Sequence, residues 1–475
     1  MSAMPVDLYQ LTSLVTHHRA GLTAQRVVMT FFSRRLPQSP ETGATARGFV
    51  LFAGLERCLQ WLRDARFEDE ALDKLCEEPT LGPALSKHPE LLKSLAGWRF
   101  TGEILAPPEG TPIFCGPALR GDGTPLEVEG VRPAAYCPYF VISCDLLTAK
   151  LIETPLLSII NHMSMVATKA AVICQVAKGR PVIEFGARRT HPEASVDAAV
   201  AAYIGGCVAT SNVEAHVRHG VPLSGAHDHF AVQAWEKPGV PRWQTERAFF
   251  EAFANTFPER NTLLVDTYDT FGEKTGIHAA VAATGGLGPF GIRIDSNVNS
   301  DTLWRARQLL DGFGAIDTRI FVSGGIDERL IASLGDAPCD GFGVGENLVL
   351  STDAPAGVGA VAKLTMIGGN PTTKLSRGSG KAHLPGVVQC WRGPDGDIVG
   401  IHGETVAGTP LLEMVWHNHD GPRPPVSLAK VREHAMASLS ALPVDRRYPR
   451  NVEVRVTDTL AAMFTMLVME EKDLR

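Results

Sequence analysis

Side chains with chemistry suited to catalysis recur along this sequence just after short apolar runs. These residues are Arg188, Thr210, Ser211, His229, Asp266, Arg293, Asp295, Ser323, Gly324, Gly325, Gly343 and Gly345. A guanidinium can bind a carboxylate or phosphate, and a neutral imidazole can act as a nucleophile. Loops are often polar, which explains serine and glycine. Charged Arg293 and Asp295 at the end of an apolar run, however, need partners or a ligand.

The apolar runs that precede these residues predict buried strands. They cover residues 181–185, 206–209, 262–266, 291–295, 319–323 and 341–344, with 221–224 as a candidate seventh. Helical patterns separate them at residues 194–203, 213–219, 245–254 and 301–312. This alternation predicts parallel strands joined by crossover helices, in an irregular (β/α) barrel. The strand ends of a barrel share one rim, where active sites are built.

The segments on either side of the barrel have a different pattern. Residues 98–145 and 387–391 contain short β-like runs, and 156–176 reads as a long helix that leads into the barrel. We therefore predict N-terminal helices and a β-rich domain in 1–155, the barrel with its active site in 156–365, and a C-terminal segment packing on both in 366–475. The fold class is α/β, with a smaller β-rich α/β domain built from the N-terminal and C-terminal segments.

Composition excludes several classes of protein. With 44% hydrophobic and 20% charged residues among 475, the chain has the composition of a soluble globular protein of two or three domains. A net charge of −7 without basic runs argues against nucleic-acid binding. The N-terminus lacks a signal-peptide pattern, and no segment reaches 18 uncharged apolar residues, so we expect no membrane span. Nine scattered cysteines without a Cys-x-x-Cys pair indicate reduced core residues in a cytoplasmic protein.

Two apparent motifs carry little weight. The string Gly286–Gly291 matches Gly-x-Gly-x-x-Gly, but it precedes a strand and so cannot direct a helix N-terminus at a pyrophosphate. The histidine-rich region lacks a third ligand at a diagnostic spacing, so we predict no bound transition metal there. Its members are Glu214, His216, His219, His227 and His229.

Two other features indicate ligand binding. The turns 323–325 and 343–345 each follow a strand and open a helix, which predicts a phosphate cradle, although tight turns alone also select glycine. Arg188 and Arg189 follow Phe185 at a strand end. This places a carboxylate-binding fork beside an aromatic face that could stack on a flat heterocycle. The alternative for these arginines is a surface ion pair.

Several strings, in order along most of the chain, resemble the nicotinate phosphoribosyltransferase family. They occupy residues 7–12, 31–37, 52–56, 153–157, 184–189, 210–213, 266–270, 293–296, 342–345 and 374–376. The resemblance implies a type II phosphoribosyltransferase fold and a homodimer with shared active sites. It also implies that nicotinate and phosphoribosyl pyrophosphate combine to give nicotinate mononucleotide. ATP hydrolysis through a phosphohistidine, with Mg²⁺, would drive this reaction.

The resemblance also implies a role for each matched residue. The loop 224–229 becomes the catalytic loop, and the implied catalytic residues are His229, Arg293 and Asp295. His229 is the phosphorylated residue, Arg293 is a candidate to bind the nicotinate carboxylate together with Arg188, and Asp295 would orient ribose hydroxyls or Mg²⁺. The implied substrate-binding residues are Tyr9 of the partner subunit, Phe185, Arg188, Thr210 and Ser211, and the implied phosphate-binding residues are Ser323, Gly324, Gly325, Gly343 and Gly345. The nicotinamide enzyme of the superfamily has aspartate at the position of Ser211, so serine favours an acid substrate.

The sequence departs from the family pattern at three places. Phe230 replaces the usual serine after the catalytic histidine, and residues 295–298 read Asp-Ser-Asn-Val in place of Asp-Ser-Gly-Asp. Glu346 adds a carboxylate after the phosphate-binding Gly-Val-Gly. These departures leave two alternatives open: a divergent paralogue acting on another aromatic acid or phosphosugar, and a catalytically silent ligand-binding relative. Retention of His229 and Arg188 argues against a silent protein.

Overall fold

The chain forms two compact units in the computed structural model, which describes residues 1–354, 357–375, 381–394, 396–418, 420–443 and 453–473. One unit joins Met1–Thr168 to Asp353–Arg475, and the other is Lys169–Thr352. The predicted α/β fold, with a barrel and a unit assembled from both terminal segments, is confirmed. The β-rich unit is nevertheless the larger of the two, because both terminal segments join it. Ser376, from the 374–376 string, lies outside the described residues.

The discontinuous unit begins with helices and short strands. Its N-terminal elements are α1 (Leu8–Arg19), β1 (Arg26–Ser33), β2 (Val50–Leu51), α2 (Leu55–Asp64), α3 (Asp69–Glu77), α4 (Gly82–Leu85), α5 (Pro89–Ala96), β3 (Glu103–Ala106), β4 (Pro112–Ile113), β5 (Cys115–Leu119), β6 (Ala134–Tyr136) and β7 (Phe140–Asp145). The helix α6 (Leu146–Val176) follows directly. It begins ten residues before the predicted start and continues through Pro155. By length and composition it could span a membrane, but 67% of its most apolar window is buried, as in a core helix.

The second unit alternates strands with helices. Its elements are β8 (Val182–Glu184), α7 (Pro192–Ile204), β9 (Ala209–Thr210), α8 (Val213–His219), α9 (His229–Gln233), α10 (Arg242–Thr256), β10 (Thr262–Leu264), α11 (Gly276–Ala283), β11 (Gly291–Ile294), α12 (Ser300–Gly312), β12 (Arg319–Val322), α13 (Glu328–Ser333), β13 (Gly341–Val344) and α14 (Glu346–Val349). Each predicted strand therefore exists except the candidate seventh. Residues 221–224 contribute only an isolated bridge between Thr210 and Leu223.

The C-terminal segment returns to the first unit. Its elements are β14 (Ala360–Ile367), β15 (Asn370–Pro371), β16 (Val388–Gly393), β17 (Gly396–Ile401), β18 (Thr409–Pro410), β19 (Glu413–His417), β20 (Gly421–Pro422), α15 (Leu428–Ala441), β21 (Val454–Val456) and α16 (Asp458–Asp473). These strands complete two sheets, in the orders β15-β14-β1-β7-β3-β19-β20 and β18-β16-β17-β21-β5-β6. Both terminal segments are therefore hydrogen-bonded into one β-rich body.

Aromatic packing fills the core of the β-rich unit. Phe31 and Phe32 of β1 are fully buried, and the ring of Phe32 stacks on Tyr136 with centroids 3.7 Å apart. The buried Tyr139 hydroxyl pairs with the Ser33 hydroxyl at 2.9 Å, which satisfies a polar group that would otherwise be costly to bury. The string 31–37 thus has a structural role in this unit.

The sheet of the second unit is parallel throughout, in the order β10-β11-β12-β13-β8-β9. The last strand, β13, pairs with the first, β8, as in a closed barrel, but β9 and β10 are not paired among the described residues. The result is a curled half-barrel that is open between β9 and β10. All six strands run in the same direction, so their carboxyl ends lie on the same rim.

A buried ion pair ties α6 to the barrel helix α13. The ammonium of Lys169, only 1% exposed, donates to both carboxylate oxygens of Glu328 at 2.9 and 2.6 Å. Since an unpaired buried charge is strongly destabilising, each residue fixes the place of the other.

Candidate active site

A cavity of about 960 Å³ opens at the carboxyl-end rim of the half-barrel. It gathers most of the residues that the sequence analysis selected. These lining residues are Phe185, Arg188, Ser211, His229, Arg293, Asp295, Ser323, Gly324, Gly325, Gly343 and Gly345. Three of the selected residues do not line it: Tyr9 is half-exposed on α1 of the other unit, Thr210 is fully buried, and the Asp266 side chain is almost fully buried next to His229.

His229 is the first residue of α9, whose N-cap, Asp228, accepts a hydrogen bond from the Ala231 N–H at 2.9 Å. Its Nδ1 lies 3.1 Å from the hydroxyl of Thr267. Its Nε2 lies 3.9 Å from a carboxylate oxygen of Asp266 and 3.9 Å from one of Asp295, and the ring is 40% exposed. One ring nitrogen is thus oriented by the protein while the other faces carboxylates at the cavity.

Asp266 is a functional candidate to which the sequence analysis gave no role. Its Oδ2 accepts hydrogen bonds from the Asp295 N–H at 2.9 Å and the Ser296 hydroxyl at 2.6 Å. Its Oδ1 is buried and accepts no hydrogen bond within the described part of the chain, although it faces His229. A buried carboxylate oxygen left in this state favours a cation or proton as its partner.

His227, two residues away, is held in a different environment. Its ring packs edge-on against Phe249 and Phe253, with centroids 4.8 and 5.0 Å away, and its Nε2 accepts the Leu264 N–H at 3.1 Å. Burial lowers the pKa of His227 from 6.5 to about 4. His227 is therefore a neutral structural residue whose Nε2 is already occupied, which leaves His229 as the histidine available for chemistry.

Arg293 connects three parts of the rim. Its guanidinium donates to Asp295 at 3.1 Å, to the Ser323 hydroxyl at 2.8 Å and to the carbonyl oxygen of His227 at 2.7 Å. The side chain is only 15% exposed, and burial lowers its pKa although the neighbouring carboxylates oppose this shift. Arg293 thus positions the 224–229 loop and Asp295, and the Ser323 hydroxyl is committed to the same network and is not free for a ligand.

Close contacts require glycine at one position in each of the two glycine turns. A Cβ on Gly343 would lie 2.3 Å from the Phe185 ring, and a Cβ on Gly324 would lie 1.9 Å from the Asp295 carbonyl oxygen. Gly325, with φ of +67°, has no atom within 4 Å of such a Cβ and faces open space. The N–H groups of Gly324 and Gly325 find no acceptor among the described residues, so the 323–325 turn offers two donors to an anion.

Arg188 and Ser211 line another part of the cavity. Arg188 is exposed and forms no hydrogen bond or ion pair within the described ranges, so its guanidinium is available to a ligand. Thr210 does not reach the cavity because its hydroxyl donates to the buried carboxylate of Glu184, whose pKa burial raises. Thr210 therefore fixes the end of β9, after which Ser211 lines the cavity.

The fold and the rim thus define an α/β-barrel protein with a histidine, a carboxylate and an exposed arginine in one cavity. No protein-family model matches the chain. The nicotinate phosphoribosyltransferase pncB2 of Mycobacterium tuberculosis is 34% identical over 484 residues, covering 98% of this chain and 94% of the relative. The human nicotinate phosphoribosyltransferase is 30% identical, covering 97% and 96%. The crystal structure of human nicotinic acid phosphoribosyltransferase superposes with a TM-score of 0.77 at 26% identity, covering 97% of this chain and 99% of that one. The chain belongs to the nicotinate phosphoribosyltransferase family.

The neutral state of His227 predicts how stability depends on pH. Its pKa is lower in the folded than in the unfolded protein, so its contribution is complete above pH 6.5 and is lost as pH falls towards 4. In urea unfolding, wild-type protein should lose about 3 kcal/mol relative to His227→Gln between pH 7 and pH 4. The glutamine keeps an acceptor for the Leu264 N–H but does not titrate. Parallel pH profiles of the two proteins would show that folded His227 takes up the proton.

Proposed function

We propose that this protein joins nicotinate to phosphoribosyl pyrophosphate, giving nicotinate mononucleotide and pyrophosphate in NAD salvage, with ATP hydrolysis as the driving reaction. The observation that carries the proposal is the position of His229, whose Nε2 faces Asp266 and Asp295 in a cavity that also presents Arg188 and the 323–325 turn. A nucleophile, a cation for a carboxylate and donors for a phosphate thus share one cavity. The proposed enzyme works in the cytoplasm.

On the acceptor side, Arg188 binds the nicotinate carboxylate and Phe185 supports the ring. The uncommitted guanidinium suits a planar carboxylate, since two parallel N–H groups match its two oxygens. Phe185 is fixed by Gly343 and by its own N–H, which donates to Val344 at 2.9 Å. Ser211 is uncharged, so it does not repel the acid.

On the phosphoryl side, His229 accepts the γ-phosphoryl group of ATP. Thr267 orients Nδ1, so Nε2 directs its lone pair at the phosphorus; a nitrogen–phosphorus bond forms as the bond to the leaving ADP oxygen breaks. Asp266 and Asp295 would hold Mg²⁺, since carboxylate oxygens are its usual ligands and the Oδ1 of Asp266 lacks a hydrogen bond among the described residues. Mg²⁺ would neutralise phosphate charge there. Arg293 holds the 224–229 loop and Asp295 in position during this step.

We further propose a homodimer in which Tyr9 of the partner subunit covers the nicotinate ring. Tyr9 is 54% exposed on α1, and Lys150 lies 5.5 Å above its ring. The same unit carries a basic cavity of about 610 Å³ lined by Arg34, Arg35, Arg132 and Lys381. Its four cations would attract an anion to that unit.

A second candidate function is transfer to a larger aromatic acid. A cavity of about 670 Å³ lies inside the half-barrel and shares five lining residues with the rim cavity: Phe185, Gly225, Ala226, Arg293 and Gly343. Its other walls are mainly apolar, including Phe253 and Phe321. A barrel core is normally filled by side chains, so this space favours an acceptor with an apolar extension.

A product assay tests the proposed reaction. Purified protein with phosphoribosyl pyrophosphate, ATP and Mg²⁺ should convert nicotinate to its mononucleotide, and nicotinamide should be a poor acceptor because Arg188 selects a carboxylate. A panel of pyridine and pyrazine acids with apolar substituents is assayed in parallel by mass spectrometry. Faster turnover of a substituted acid would favour the second candidate, and equal turnover of acid and amide would contradict the role of Arg188.

Labelling separates the two histidines of the catalytic loop. Incubation with γ-labelled ATP should give acid-labile, base-stable label in the wild type and in His227→Gln, but none in His229→Gln. The glutamine variants are matched in size and charge. Label retained by His229→Gln and lost from His227→Gln would reverse the assignment.

Mixed dimers test the shared site. In the proposed dimer, each site combines His229 of one subunit with Tyr9 of the other. A heterodimer of Tyr9→Ala and His229→Ala subunits therefore contains one site with both substitutions and one site with neither. Coexpression through two affinity tags should recover about half of the wild-type turnover per dimer. Recovered heterodimers without activity would mean that each subunit builds its own site.

A further inference from the structure

An ion pair at the rim of the cavity involves a residue that departs from the family pattern. The guanidinium of Arg189 lies 3.2 Å from the carboxylate of Glu346, and the two side chains are 45% and 51% exposed. Both line the rim cavity, Arg189 after β8 and Glu346 at the start of α14 after β13. The strands β8 and β13 are hydrogen-bonded neighbours, so this juxtaposition is set by the sheet.

The start of α14 is also tied to the glycine turn. The amide of Asn347 donates to the carbonyl oxygens of Gly325 and Ile326 at 3.0 and 3.2 Å. Glu346, one residue earlier, is therefore placed beside the 323–325 turn, whose residues line the same cavity. An exposed ion pair of this kind contributes little to folding stability, so the stability of the fold does not account for it.

We propose that Arg189 binds the anionic groups of the phosphosugar substrate, and that Glu346 pairs with Arg189 while no ligand is bound. When a phosphate or pyrophosphate group binds at the 323–325 turn, Arg189 exchanges the single charge of Glu346 for the greater charge of the ligand. Charge-assisted pairs with phosphate strengthen with ligand charge, which favours this exchange. Glu346 then weakens binding twice, by competing for Arg189 and by repelling the anion. The inference rests on the proposed function in taking the turn as the phosphate site.

This arrangement predicts a specific pattern of non-additivity. Replacing Glu346 removes both the competition and the repulsion, whereas in a protein without Arg189 the same replacement removes only the repulsion. The gain from Glu346→Gln should therefore be larger when Arg189 is present. Two residues that acted independently on the ligand would give equal gains in both backgrounds.

Calorimetric titration with inorganic pyrophosphate in Mg²⁺-containing buffer tests the inference directly. We expect Glu346→Gln to lower the Kd about tenfold, Arg189→Met to raise it, and Glu346→Gln in the Arg189→Met background to lower it only about threefold. The matched control is Glu251→Gln, which breaks an equally exposed ion pair with Arg247 on α10 and makes the same change in charge. This control should bind pyrophosphate as the wild type does.

Kinetics with the same variants supplies a second measurement. The KM for phosphoribosyl pyrophosphate should follow the Kd series, while the KM for nicotinate stays constant. Equal gains in the two backgrounds, or a Kd within twofold of wild type in Glu346→Gln, would overturn the inference even if nicotinate mononucleotide is formed. The expected Kd pattern in a protein that forms no nicotinate mononucleotide would instead leave the anion ligand in place and refute the proposed function.

Discussion

The rest of the site depends on the hydrogen bonds that the Arg293 guanidinium donates. This guanidinium is mostly buried and donates to Asp295 at the end of β11, to Ser323 at the end of β12 and to the main chain of the 224–229 loop at His227. A buried cation with three acceptors cannot relax without leaving them unsatisfied. The loop, the Asp295 carboxylate and the 323–325 turn therefore hold a common geometry, although they come from separate stretches of sequence.

The sequence predicted the barrel and its rim because parallel strands leave strong local patterns. Apolar runs, helical spacing and polar residues at strand ends follow from burial, and each of the six predicted strands has a counterpart in the sheet. The patterns also gave a wrong start for the long helix and predicted one strand that does not form. The long helix begins at Leu146 because the proline at 155 is accommodated within it, and residues 221–224 pair only through one bridge.

The site was predicted less completely because composition does not reveal the direction of a hydrogen bond. Thr210 and Ser323 are hydroxyl residues at strand ends, yet both hydroxyls donate hydrogen bonds to neighbouring carboxylates. Residue patterns alone do not tell a histidine packed between phenylalanines from an exposed one two residues away, and only the family resemblance selected His229. Asp266 lay within a family string, but its unsatisfied oxygen is visible only once its surroundings are placed.

The gap between β9 and β10 has a consequence for how this architecture can vary. Residues 211–261 span the gap, and within the barrel sheet they contribute a single bridge, at Leu223, instead of a ladder. Insertions or deletions there would not shift the register of any strand, unlike changes inside a closed barrel. The segment 211–261 carries Ser211 of the rim cavity and Phe253 of the inner cavity. It is thus the natural place to exchange whole segments between homologues when acceptor preference is to be re-engineered.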